Sequence, residues 1–162
     1  MPLVSFESLP ANARVWIFSA DRPITGHQSV DLLREVDAFL TEWKAHGHPL
    51  TCARAWRDDR FLAIAVDQTD SYASGCSIDG LFRRLQAMQS TLGAAIVGGG
   101  QIHYRDASGT IKTVSRDDFT ALVARGGVTT ATPVFDTTVA TAGDWRDRFE
   151  TSAGRTWHKA LL

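Results

Sequence analysis

Cys76 is the side chain whose setting most suggests chemistry. It lies in the run Ser74-Gly75-Cys76-Ser77-Ile78-Asp79, where a polar loop gives way to a helical pattern. Unpaired N–H groups and the positive dipole end at a helix start stabilise a thiolate. A neighbouring glycine lets the backbone approach a ligand closely. The same N–H groups could hold a phosphate or carboxylate, which makes Ser74, Gly75 and Ser77 candidate ligand-binding residues. The plainer reading is that Ser74 or Ser77 caps the helix and Cys76 is buried, as cysteines commonly are.

A nucleophilic thiol needs a base within hydrogen-bonding reach and a group to orient that base. His46 is the candidate base, three residues past Trp43 and seven past Phe39, hence on their face of a helix that extends to it. Trp43 would then line the same site. Asp79 completes the candidate catalytic set, with Asp67 as a second acid in reach of the segment. Against this, a histidine on an apolar face is commonly a hydrogen-bonded core residue. Asp79 is also explained as an acid near a helix start.

Other chemistries fail on spacing. A phosphatase loop places five residues between its cysteine and arginine, whereas six separate Cys76 from Arg83. His46, His48, Cys52 and Cys76 offer zinc-ligand atoms, but H-x-H-x₃-C is not a finger spacing, and no metal is expected. Gly98-Gly99-Gly100 precedes a strand-like run, not the helix a phosphate cradle requires. Walker, G-x-S-x-G and H-E-x-x-H patterns do not occur, and no cofactor is expected.

These residues must be positioned by a framework that the rest of the sequence outlines. The chain has 162 residues, 44% of them hydrophobic and 22% charged, which suits one domain over 1–162. Its 17 basic and 18 acidic residues leave a net charge of -1. No basic stripe for nucleic acid or an anionic membrane follows from that balance. Neither a secretory signal nor a membrane-length apolar run is visible, and the two cysteines lack C-x-x-C spacing. A cytoplasmic protein with reduced thiols is the expectation.

Residues 14–19 read as a strand, followed by Thr25-Gly26-His27-Gln28 as a capping box. The spacing of Leu32, Leu33, Val36, Phe39, Leu40 and Trp43 predicts a helix to about residue 46, capped by Gly47. Strands are expected over 50–57 and 60–66, joined by a tight turn at Asp58-Asp59; the second is apolar enough to lie centrally. Ile78, Leu81, Phe82, Leu85, Met88 and Leu92 predict a second helix ending at Gly93. A hairpin over 101–114, a short helix from Ser115, an edge strand over 132–136 and a last helix carrying Trp145 complete the chain. The order strand–helix–strand–strand–helix–strand over 14–105 predicts an α+β, ferredoxin-like split βαβ core. That core is an antiparallel sheet with two long helices on one face. Residues 106–162 form a C-terminal β-hairpin and helix extension.

Arg14-Val15-Trp16, Trp43-Lys44-Ala45-His46-Gly47-His48-Pro49-Leu50 and Ala73-Ser74-Gly75-Cys76-Ser77-Ile78-Asp79 resemble an uncharacterised bacterial family of about this length. Its members often carry the label ABC-transporter ATPase. The resemblance extends to the segment 132–141 and to Trp157. It implies no activity here, because an ATPase of that kind needs a Walker A loop and a Walker B acid. The shared pattern includes His46 and Cys76 but not His48, and Phe135-Asp136-Thr137 stands where the family shows Phe-Asn-Asn.

The function expected is therefore binding of a small molecule or anion near the turn at 74–79. The alternatives are a thiol-dependent enzyme using Cys76 and His46, and an interaction module without a catalytic site. A small molecule or a protein is the expected partner, with a homodimer through a sheet edge compatible with the sequence.

Overall fold

The computed structural model describes residues 3–45, 47–69, 75–96 and 99–162, with backbone alone for 45 and 75–77. The described residues form an α+β protein, with antiparallel sheets of three, two and four strands and four α-helices. The chain divides into two units, one of residues 1–97 with 139–145 and one of 98–138 with 146–162. The boundary lies before the strand at 101–105, not after it, and a short return segment belongs to the first unit.

The first unit holds β1 (Arg14–Ser19), α1 (Gly26–Thr41), β2 (Lys44–Ala45), β3 (His48–Pro49), β4 (Thr51–Arg57), β5 (Phe61–Asp67) and α2 (Gly75–Leu92). The larger sheet has the order β1-β5-β4, antiparallel throughout. Central β5 is buried on both faces, as its apolar run predicts. Leu62, Ile64 and Val66 pack with Leu32, Val36 and Leu40 of α1 and Leu81, Leu85 and Leu92 of α2, so both long helices share that face. Each of these side chains is fully or almost fully buried, worth about 1.5–3 kcal/mol apiece. Gly80 leaves room where α1 and α2 meet: a Cβ there would lie 3.2 Å from the Phe39 ring.

Gln101–Arg105 does not join this sheet. Along the outer edge of β1, residues 140 and 141 run instead, with the Val15 N–H donating to the Ala140 carbonyl at 2.8 Å and Arg14 bridging Thr141. Along the outer edge of β4 runs the N-terminal segment, with Leu3 bridging Cys52 in parallel and the Val4 N–H donating to the Cys52 carbonyl at 2.8 Å. A 3-10 turn at Phe6–Ser8 follows and stays packed against β4.

The first helix ends earlier than its periodicity predicts. The Glu42 and Trp43 N–H groups reach back to the Phe39 and Leu40 carbonyls, and a β2–β3 hairpin follows. Gly47, at φ 81°, serves that hairpin and not the helix. The capping box is also absent: Thr25 makes no side-chain cap, and Gln28 Nε2 donates to the Thr91 carbonyl at 3.3 Å. Gly93 does close α2, at φ 66° with its N–H on the Gln89 carbonyl.

The β4–β5 turn places Asp58 and Asp59 at φ 55° and 56°, and the Arg60 N–H closes it on the Arg57 carbonyl. Aspartate tolerates this left-handed region better than most residues, and a β-branched side chain does not. The Asp59 carbonyl also accepts the Ile24 N–H at 2.8 Å, which ties the turn to the loop before α1. Asp59→Val is expected to lower stability by about 1–2 kcal/mol, while Asp59→Asn stays within about 0.5 kcal/mol; urea unfolding of the two variants checks this.

The second unit contains β6 (Gln101–Arg105), β7 (Ile111–Ser115), α3 (Arg116–Ala124), β8 (Pro133–Phe135) and β9 (Glu150–Ser152), with strand order β7-β6-β8-β9. The α4 helix (Ala142–Arg148) spans the division between the units in sequence. Asp106 organises the β6–β7 turn, its Oδ1 accepting the N–H groups of Ser108 and Thr110 at 2.9 and 3.0 Å. The Ser115 hydroxyl caps α3 by accepting the Asp118 N–H. β8 is an inner strand, not the expected edge; Pro133 opens it, a position that requires no ladder donor.

Candidate functional site

The helix that opens the 74–79 segment begins at Gly75, so Cys76 and Ser77 fall in the first turn of α2. Their side chains, together with Ser74 and His46, lie outside the described residues. Asp79 is the fifth residue of the helix and exposed. Trp43 is buried at 4% exposure, packing against Phe39 and Trp16 with ring centroids 5.6 and 6.1 Å away. Because α1 stops at Thr41, the helical-face argument for His46 no longer holds. Asp67 is engaged locally, accepting both the N–H and the hydroxyl of Thr69, which together hold its carboxyl below the usual range.

Cys52 can be assigned a role from its surroundings. Its side chain is fully buried on the helix-facing side of β4, and the thiol donates to the Leu40 carbonyl at 3.4 Å. Burial pushes its pKa up to about 12, so the thiolate needed for reaction is absent at neutral pH. Cys52 is a packing residue.

A concave site opens instead at the outer edge of β4. A cavity of about 590 Å³ is lined by residues 3–7, by Leu33 and Asp37 of α1, and by Arg54, Ala55 and Trp56. It continues past Asp37 and Arg54 into a hollow of about 380 Å³ beside Leu33 and Val30. Both volumes fall within or near the range of small-ligand sites. Val30 is 55% exposed, an unusual position for a large apolar residue on a packed helix.

The polar groups in this groove are specific. Arg54 and Asp37 pair side-on, with Nε–Oδ1 2.6 Å and Nη2–Oδ2 3.0 Å, the bidentate geometry that fixes a guanidinium plane. The indole Nε1–H of Trp56 is buried and has no hydrogen-bond partner. A buried unmatched donor costs about 1–3 kcal/mol, so an acceptor brought to it recovers that energy. Glu7 lines the same cavity and has no ion-pair partner among the described residues. A double-mutant cycle on Arg54→Ala and Asp37→Ala is expected to give a coupling of about 0.5–1 kcal/mol, since both side chains are partly exposed.

The second unit has its own buried polar group. His158 is fully buried, stacked on Trp157 at 4.0 Å and against Phe119 at 5.9 Å. Its Nδ1 lies 2.6 Å from the Thr156 hydroxyl, and its Nε2 has no partner. Burial lowers its pKa to about 4, against a smaller opposing pull from Asp136. Asp136, 2% exposed, accepts the Thr138 N–H and takes Arg148 at 3.4 Å. The Thr156, Trp157 and Phe119 side chains packed around His158 make this a structural cluster. Among the described residues, no three His, Cys, Asp or Glu side chains gather into a metal site.

The sequence patterns do not single out Asp37, Arg54 or Trp56. The Arg54–Asp37 pair is 17 positions apart, and only the packing of α1 across β4 joins it. An arginine inside a strand-like run, at Arg54, was the one signal available. No family model matches the chain, and no curated protein or solved structure matches it.

Proposed function

We propose that this chain is a ligand-binding protein whose site is the groove along β4, accepting a small molecule or a short peptide. The observation that carries this reading is a cavity of about 590 Å³ whose lining gathers the Arg54–Asp37 pair and Trp56, a residue whose buried Nε1–H is unmatched. A rigid donor held in such a place favours a ligand with a carbonyl or carboxylate acceptor, and the Arg54–Asp37 pair beside it offers orientation. The test is a ¹H–¹⁵N correlation screen with amide- and carboxylate-bearing fragments. The Trp56 indole cross-peak, identified by its loss in Trp56→Phe, moves on binding. A screen in which bound fragments move only other tryptophans refutes the reading.

A second reading rests on the start of α2 at Gly75, which supports an anion or a reactive thiol at residues 74–79. In it Cys76 is the nucleophile and His46 its base, in the reducing cytoplasm. Cys52 is silent under native conditions, so iodoacetamide labelling at pH 8 reports Cys76 alone. One adduct per chain, abolished by Cys76→Ser, supports a reactive thiol; labelling that requires denaturant removes it. For the fold, the strand order β1-β5-β4 with α1 and α2 on one face supports a ferredoxin-like ancestry for the first unit, without its fourth strand.

No helix among the described residues is long and apolar enough to cross a membrane.

A further inference from the structure

The C-terminal segment of the second unit is joined to its sheet by side chains and not by backbone. Up to Gly154 the main chain is tied down: the Ala153 N–H donates to the Thr132 carbonyl at 2.8 Å and the Gly154 N–H to the Thr130 carbonyl at 2.9 Å. Beyond that point the ties are local. The Thr156 N–H returns to the Ala153 carbonyl, the Lys159 N–H to Thr156 and the Leu162 N–H to Lys159. The Thr156 hydroxyl accepts the His158 N–H at 3.2 Å. Among the described residues, no hydrogen bond or ion pair links residues 155–162 to a residue before Ala153.

Three side chains hold the segment in place. His158 is fully buried, with the Phe119 ring of α3 5.9 Å away. Leu161 packs against the cluster that includes Ile102, Phe119 and Val128. Trp157, 37% exposed, lies between His158, stacked at 4.0 Å, and the Arg116 guanidinium at 5.8 Å. Of the three, His158 is the deepest and the one with a flaw. Its Nε2 has no partner, and a buried polar atom left unmatched offsets part of what the ring's burial contributes.

We infer that residues 155–162 form a latch that acid releases: a proton taken up by His158 detaches the segment as a local unit and uncovers the Phe119 ring, while the sheet β7-β6-β8-β9 stays folded. A protonated ring has two N–H donors, and the Thr156 hydroxyl can serve only the one at Nδ1. The surrounding charges do not hold the cation. Asp136, just after β8, attracts it but already accepts the Thr138 N–H and hydroxyl and pairs with Arg148. Arg116 of α3, and Arg155 and Lys159 of the segment itself, are positive, and Asp117 and Asp118 of α3 are exposed. From β6, Tyr104 packs on Phe119 at 6.1 Å. Burial therefore lowers the histidine's pKa to about 4 in the closed latch, with Asp136 opposing. The released segment has the ordinary value near 6.5, so opening becomes about tenfold more favourable for each pH unit below 6.5, approaching about 300-fold below pH 4.

The test is native-state hydrogen exchange on the full chain, read by ¹H–¹⁵N spectra at half-unit steps from pH 4 to 6.5 and in low urea, as protection factors corrected for intrinsic rates. The His158 and Lys159 amides report the latch, and the β6 amides report the sheet. The latch amides are expected to be the less protected at every pH and to lose protection about tenfold per pH unit. Their exchange should depend only weakly on urea, because opening exposes few residues. In His158→Phe, which keeps a ring in the stack, latch protection should change less than twofold over the same range. Latch amides as protected as β6, with the same urea slope, would overturn the inference, since the segment would then leave only when the whole unit unfolds. Latch protection that is independent of pH in the wild-type protein would overturn it without recourse to any variant, as would an unchanged pH dependence in His158→Phe.

Discussion

Lowering the pH from 6.5 to 4 is expected to cost the second unit about 3 kcal/mol through His158 alone. The folded protein holds this histidine neutral, with its pKa lowered to about 4, because the ring is buried between Trp157 and Phe119. The unfolded chain takes up the proton near pH 6.5. Over the interval between the two values the unfolded state binds one more proton, so stability falls by about 1.4 kcal/mol for each unit of acidification. Above pH 6.5 both states are neutral and the contribution is constant; below about 4 the loss is complete. Asp136 opposes the shift, and Asp136→Asn should move the folded pKa lower still. Urea unfolding at half-unit steps from pH 4 to 7.5 measures the slope. His158→Phe keeps a ring in the stack and removes the titration, so its slope should be smaller by the whole histidine contribution. An unchanged slope in that variant would mean that other groups carry the acid sensitivity.

Ile64→Ala is expected to destabilise the first unit by about 2–5 kcal/mol. Ile64 sits midway along the central strand, fully buried, on the face that α1 and α2 both cover. Removing three carbons there opens a cavity that two helices and two flanking strands cannot all close upon. Val30→Ala is the matched control: it removes apolar atoms from a site 55% exposed and should change stability by less than about 0.5 kcal/mol. Thermal and urea unfolding of the pair separate a core effect from a general loss of apolar surface. A change below 1 kcal/mol at Ile64 would show that this face is loosely packed.

How far the sequence revealed this molecule depends on the range of the signal. The run from Phe61 to Val66 could be read as a doubly covered strand, since no polar residue interrupts it. The α2 helix was readable from the period of Leu81, Leu85 and Leu92 and from the stop at Gly93. Asp106-Ala107-Ser108-Gly109 announced its own turn through side-chain acceptors that act within four residues. The end of α1 was not readable. Trp43 continues the apolar period because it packs into the same core, yet it does so from beyond the last helical turn. Periodicity records which side chains are buried, not which backbone delivers them.

Sheet membership was equally hidden. Gln101–Arg105 has the pattern of a strand, but pattern does not name a neighbour. Its register with β7 and β8 put it in the second unit, and residues 140–141 took the place beside β1. The groove was hidden for the same reason. Arg54, Asp37 and Trp56 are unremarkable one at a time; a strand edge walled by residues 3–8 turns them into a site. The local features of the 74–79 turn were readable as a helix start, and the helix does begin there.

The measurement that bears most directly on the groove is the affinity of Trp56→Phe for the tightest fragment found in the screen above. Phenylalanine keeps most of the ring packing against the core and removes only the buried N–H donor. If that donor meets an acceptor on the ligand, the variant should bind about tenfold more weakly, equivalent to about 1.4 kcal/mol, at an unfolding midpoint no lower than that of the wild type. Equal affinity in the variant would contradict the account, because the unmatched indole would then have no part in binding.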